Sequence, residues 1–145
     1  MSEMANTRET RTARILIVDD DEDMPIVAGL VLESSGHSVT IAQSGLKGIE
    51  AARQSVFDLL IVDLKMPGMS GAATIREIRS FRPDVPIIVM TGSLDPRAEG
   101  IETEMRLCLY KPFRVNELRD AVEEVLRNHR RACGWHADKE NRLDR

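Results

Sequence analysis

Five short apolar runs, Ile15–Val18, Val39–Ala42, Leu59–Val62, Ile87–Met90 and Leu107–Tyr110, constrain the fold of this chain more than any other feature. Each is too short to be a helix of ordinary length, and most are dominated by Ile, Val and Leu, which fit a pleated surface. None alternates cleanly with polar residues. That pattern predicts strands buried on both faces, as in a parallel sheet covered by helices. Between the runs lie stretches with helical spacing. The first places Ile26, Val27, Leu30 and Val31 after Pro25 and stops at Ser35-Gly36, where glycine can take a left-handed cap. Others run from about Ser44 to Arg53, from about Ser70 to Phe81 with Ser70 as N-cap, and from about Val115 to Arg130. A further helix is expected near Asp95-Pro96, short or irregular because little chain separates Thr91 from Lys111, and Gly100 weakens it further.

Strands alternating with helices imply a doubly wound α/β domain of five parallel strands and five helices. The 145 residues suit one such domain. Aromatic residues make up only 3% of the chain, so the core must be aliphatic. The expected division is a disordered arm over residues 1–13, a domain over 14–130, and a polar, basic tail over 131–145.

No apolar run is long enough to span a membrane and the first residues lack a secretion signal, which points to the cytoplasm. Residues 14–126 hold 12 Lys/Arg against 19 Asp/Glu, a net −7, whereas residues 127–145 hold 6 against 3, a net +3. So acidic a body argues against direct binding of nucleic acid.

Ligands of doubly wound sheets bind outside the carboxyl ends of the strands. The first run ends in Asp19-Asp20, the third in Asp63, the fourth in Thr91-Gly92 and the fifth in Lys111-Pro112. Three carboxylates, a hydroxyl and an ammonium are thus expected on one edge. Clustered carboxylates without histidine favour a hard cation such as Mg²⁺. Beside such a cation Asp63 can act as a nucleophile towards phosphorus. Lys111 and the Thr91 hydroxyl then complement the phosphoryl oxygens.

The segments ILIVDDDED, DLLIVDLKMPGMSG, IIVMTG and YKPF, in this order, resemble the receiver domains of bacterial two-component response regulators, single-domain chemotaxis-type regulators among them. The resemblance covers roughly residues 14–130. It implies a flavodoxin-like fold with strand order 2-1-3-4-5, and Asp63 as phospho-acceptor from a sensor histidine kinase or histidine phosphotransfer protein. It also implies Mg²⁺ at Asp19, Asp20, Asp63 and the Lys65 backbone carbonyl, slow self-hydrolysis, and a cis Lys111–Pro112 peptide. The side chains of Lys65 and Ser93 would border the phosphoryl group. The partners implied are that phosphodonor and a downstream protein, with the chain a monomer or a phosphorylation-dependent dimer.

Two features depart from the family. Cys108 stands where receivers carry the aromatic residue that answers Thr91, with Tyr110 the nearest aromatic, and the interval from Thr91 to Lys111 is short. Signal output is therefore expected through a rearranged face around the fourth helix and the fifth strand.

Competing readings are an unphosphorylated scaffold, which loss of Asp63 or Lys111 would favour, and an aspartate-nucleophile phosphatase. The latter wants a second acid where Lys65 stands, so a switch rather than a true enzyme is expected. Simpler roles suffice elsewhere. Asp21, Glu22 and Asp23 begin a helix, Met66 and Met69 pack, Cys108 is a buried small hydrophobe, and His37 and His129 lie on the surface. Cys133 and His136, which flank Gly134-Trp135, are too few to make a metal site.

Overall fold

The computed structural model describes residues 12–132. Most of the expected N-terminal arm, and the tail from residue 133 with Cys133, Trp135 and His136, lie outside the described residues. Ala13, assigned to the arm from the sequence, is buried and belongs to the core.

Five strands form one parallel sheet: β1 (Arg14–Val18), β2 (Ser38–Ala42), β3 (Leu59–Asp63), β4 (Ile87–Thr91) and β5 (Leu107–Tyr110), in the order β2-β1-β3-β4-β5. Four helices accompany them: α1 (Met24–Ser34), α2 (Gly45–Gln54), α3 (Gly71–Phe81) and α4 (Val115–Ala132). The two-residue period of a strand sends alternate side chains to opposite faces. Leu16, Val18, Leu60, Val62, Ile87 and Val89 pack with Ile49 of α2 and Ile75 and Ile78 of α3. Ile15, Ile17, Ile61, Ile88 and Met90 pack with Leu32 of α1 and Leu118 and Val122 of α4. Unbroken apolar runs therefore serve two cores at once.

The local signals explain the helix boundaries. The Ser44 hydroxyl accepts from Lys47 N (3.1 Å) at the start of α2, and the Ser70 hydroxyl accepts from Ala73 N (3.1 Å) at the start of α3. Pro25 sits in the first turn of α1, and Gly36 turns the chain at φ +99°.

Four expectations require correction. Only β1, β3 and β4 are buried on both faces; in β2 and β5, as sheet edges, residues such as Ile41 and Tyr110 remain exposed. Among the described residues the helix count is four, because residues 92–106 form turns instead of a fifth helix. Glu99 N donates to Asp95 O (3.0 Å) to close one helical turn, and Gly100 at φ +75° then reverses the chain. Fully buried Ile101 still anchors this segment on the α2–α3 face of the sheet. The Arg79 guanidinium fastens it by donating to Glu104 O (2.8 Å) and Glu104 Oε1 (3.1 Å). His37 is not on the surface: its buried ring accepts the Ala13 N–H at Nδ1 (3.0 Å) and pairs with Glu123 through Nε2 (2.8 Å). His129 is half-buried beside Arg106, at 3.4 Å.

Candidate functional site

Parallel strands bring the carboxyl ends of β1, β3, β4 and β5 to one edge, and the sheet register sets their side chains against one another. Asp63 closes β3 opposite Met90, Asp19 follows Val18 immediately, and Lys111 N donates to Thr91 O (2.8 Å) just beyond β5. Asp19, Asp20 and Asp63 each offer a carboxylate oxygen within 4.8 Å of the others. Asp19 is wholly buried and Asp63 nearly so, while Asp20 faces solvent. Lys111 reaches over them, its Nζ 3.2 Å from Asp63 Oδ2 and 3.8 Å from Asp19 Oδ2. The Lys111–Pro112 peptide is cis, as the resemblance implied.

One ammonium does not balance three carboxylates. Asp19 Oδ1 accepts the Asp21 N–H (3.0 Å), but its buried Oδ2 has no hydrogen-bond partner among the described residues. Burial, aided by the Asp63 charge, pushes the Asp19 carboxyl up to about 6, against the opposing pull of the Asp21 N–H and of Lys111. An orphaned buried carboxylate oxygen, in an all-oxygen cluster of excess negative charge, fits a hard divalent cation. The donor set therefore suits Mg²⁺. Asp21, by contrast, works as a helix start: its carboxylate accepts from Met24 N (2.7 Å) and Asp23 N (3.3 Å), which holds its own pKa down.

The predicted residues outside this cluster are placed differently. Thr91 is buried and its hydroxyl is engaged in the chain, accepting from Leu94 N (2.9 Å) and donating to Leu94 O (3.0 Å). Lys65 and Ser93 are exposed beside the strand ends. Cys108 is half-buried, not the fully buried small residue expected, and burial pushes its thiol up. Tyr110 is exposed, two positions along the same strand from Cys108, and the influence of the Cys108 side chain raises its pKa.

Two site residues escaped the sequence reading. Gly71 N donates to Leu64 O (2.9 Å), folding the Lys65–Ser70 loop back on the site, and a Cβ at Gly71 would lie 2.2 Å from Asp63 O. The second glycine of MPGMSG was a usable signal for that close approach. Leu94, the partner of Thr91, carried no signal at all, because its role uses only its backbone.

Comparison with known proteins agrees with this geometry. The sequence model of the response regulator receiver domain matches residues 15–123. The transcriptional regulatory protein ZraR of Klebsiella oxytoca is 34% identical over 118 residues, which is 80% of this chain but 27% of ZraR, so the chain spans about a quarter of that relative. A CheY-like receiver domain protein from Methanospirillum hungatei superimposes with a TM-score of 0.79 at 26% identity, covering 84% of this chain and 99% of that one. The response regulator TrrA of Thermotoga maritima, solved in complex with Mg²⁺-BeF, gives a TM-score of 0.71 at 28% identity, covering 77% and 97% of the two chains.

Proposed function

The chain belongs to the response regulator receiver domain family, and from that premise we propose that it is a phospho-accepting switch of a two-component phosphorelay. An Asp63 carboxylate oxygen attacks the phosphorus of a phosphohistidine on a sensor histidine kinase or phosphotransfer protein. The P–N bond breaks, the imidazole leaves with its electron pair, and Asp63 becomes an acyl phosphate. Lys111 complements the phosphoryl oxygens, since its Nζ already stands 3.2 Å from the attacking carboxylate. Mg²⁺ held by Asp19, Asp20, Asp63 and the Lys65 carbonyl would neutralise charge on those oxygens. The Mg²⁺-BeF complex of TrrA supports that assignment by likeness. Lys65 and Ser93, exposed at the rim, modulate the lifetime of the acyl phosphate. The observation that carries the reading is the contact of Lys111 with Asp63 beside the orphaned oxygen of Asp19.

Incubation with Mg²⁺ and a small phosphodonor, read by intact mass, tests it. A single phosphoryl addition that Asp63→Asn abolishes is expected. No addition would favour an unphosphorylated scaffold. Repeated turnover without accumulation would favour a phosphatase, which the cation at Lys65 disfavours.

Output runs through residues 92–110. The Thr91 hydroxyl cannot both hold the Leu94 backbone and reach a phosphoryl group on Asp63, so phosphorylation releases the turn that starts the helix-free segment. Chemical-shift changes on phosphorylation should extend from Thr91 through Ile101 to Cys108 and Tyr110. Changes confined to the Asp63 pocket would refute this route. The target is a protein rather than nucleic acid, given the acidic body, and the setting is cytoplasmic. Among the described residues no helix is long and apolar enough to cross a membrane.

A further inference from the structure

At the end of the sheet opposite Asp63, a cavity of about 490 Å³ opens between the starts of β1, β3 and β4, the end of α3 and the later turns of α4. Its interior is apolar. Phe57, Pro86 and Leu126 are buried there, and the more exposed Phe81, Pro83 and Val85 complete the wall. Val56 also lines it, 61% exposed and outside both core clusters. The volume falls within the roughly 300–1,000 Å³ of small-molecule sites. The phosphorylation chemistry uses none of these residues.

Charge at the rim selects among the ligands that such a cavity could take. Asp58 and Asp84 both line it, and both are exposed. Among the described residues neither carboxylate joins a salt bridge. Asp58 Oδ2 accepts the Arg14 N–H (2.8 Å), and the Asp84 carboxylate accepts no hydrogen bond from the described residues. The nearby cationic side chains are engaged with the protein instead. Arg82 donates to Ala52 O (3.1 Å) and Ser55 O (3.5 Å) and lies 5.7 Å from the centre of the Phe81 ring. The Arg14 guanidinium lies 5.4 Å from the centre of the Phe57 ring, and His129 meets Arg106 at 3.4 Å. The described lining thus offers a ligand an apolar interior and two carboxylates without a cation.

We propose that this cavity binds a small organic cation: a ring-bearing primary amine whose ring packs on Phe57, Pro86 and Leu126 and whose ammonium meets Asp58 and Asp84. The ring gains by leaving water for an apolar wall. The ammonium stays at the solvent-facing rim, so it makes charge-assisted hydrogen bonds without the cost of burying an ion. An anion of the same shape would face two carboxylates, and a neutral ring would gain the apolar part alone.

Titration of the full 145-residue chain with 2-phenylethylamine, followed by amide chemical shifts, tests the site. Saturable shifts are expected at Phe57, Asp58, Asp84, Val85 and Leu126, and not at Asp19, Asp20 or Lys111. Phenylacetate, the same ring with the opposite charge, should bind at least about fivefold more weakly. Ethylamine, which lacks the ring, should not saturate. Asp58→Asn and Asp84→Asn should each weaken 2-phenylethylamine about two- to fivefold, the range of an exposed ion pair, and leave 2-phenylethanol unaffected. Val56→Ser, at an exposed position, should weaken the amine and the alcohol alike while the melting transition stays native. Failure of 2-phenylethylamine to saturate would overturn the proposal, whether the rim repels it or another part of the chain already fills the cavity. So would equal binding of phenylacetate, or full affinity in both Asn variants, since charge would then select nothing. Shifts centred on Asp19 and Asp63 would also overturn it, by assigning the amine to the acidic cluster at the other end of the sheet.

Discussion

Replacing Asp19 by Asn should stabilise the metal-free protein, although it removes a residue from the centre of the site. The Asp19 carboxyl is buried and its pKa is pushed up from 3.8 to about 6. The folded state therefore favours the protonated form. The stability tied to that proton is complete below about pH 4 and is lost as the pH rises through about 6. The loss amounts to about 3 kcal/mol, at about 1.4 kcal/mol per unit of pH between the two values. Asn is neutral at every pH and nearly the same shape. Its oxygen can keep the hydrogen bond from Asp21 N, and its amide can donate towards Asp63 where Asp19 Oδ2 now has no partner.

The attraction to Lys111, 3.8 Å from Oδ2, is already contained in that shift, so with imperfect replacement of the carboxyl's hydrogen bonds by the amide the net gain at neutral pH should be about 1–3 kcal/mol. Urea denaturation in the presence of a chelator measures it, and the gap should close as the pH falls towards about 4. Adding Mg²⁺ should reverse the order. Wild type gains about 2.7 kcal/mol at a hundredfold excess over Kd, whereas the variant, short of one carboxylate, gains little. If Asp19→Asn is no more stable than wild type in chelator at neutral pH, burial of the Asp19 charge is not the dominant cost at this site. If both respond equally to Mg²⁺, Asp19 is not a ligand.

Two further substitutions probe the supports of the site. Gly71→Ala drives a Cβ to 2.2 Å from Asp63 O and 2.6 Å from Leu64 Cα, both backbone atoms, so it should cost about 1–3 kcal/mol in urea unfolding and slow phosphoryl addition. Unchanged rates would show that the Asp63 backbone shifts without consequence. Arg79→Lys keeps the charge but loses the planar fork that binds Glu104 and the carbonyls of Arg82, Pro83 and Val85. It should cost about 1.5–3 kcal/mol, and amide exchange across residues 101–106 should accelerate; exchange like that of wild type would assign the anchoring to Ile101 alone.

Much of the architecture is local information, which is why it was legible. Ser44 and Ser70 cap the helices they precede, Gly36 turns where a positive φ is required, and strand residues reveal their period within a few positions. The candidate site was legible for a topological reason. In a parallel sheet the residue after each strand comes to the same edge, so reading strand ends in order brought Asp19, Asp63 and Lys111 together although the last two are 48 positions apart.

By itself, then, the sequence determined the strand set, the helical stretches that formed and the acidic cluster with its lysine. These depend on periods, caps and chain direction. Tertiary structure alone decided which acid is desolvated: Asp19 and Asp20 are neighbours in the chain, yet only Asp19 is buried, because sheet and helix packing close over one side of the strand end. It also decided that His37 is a core residue, through Glu123 86 positions away and the Ala13 amide. It replaced the fifth helix by a segment that Ile101 and Arg79 hold against the sheet. Each of these outcomes depends on partners distant in sequence, and no local pattern encodes them.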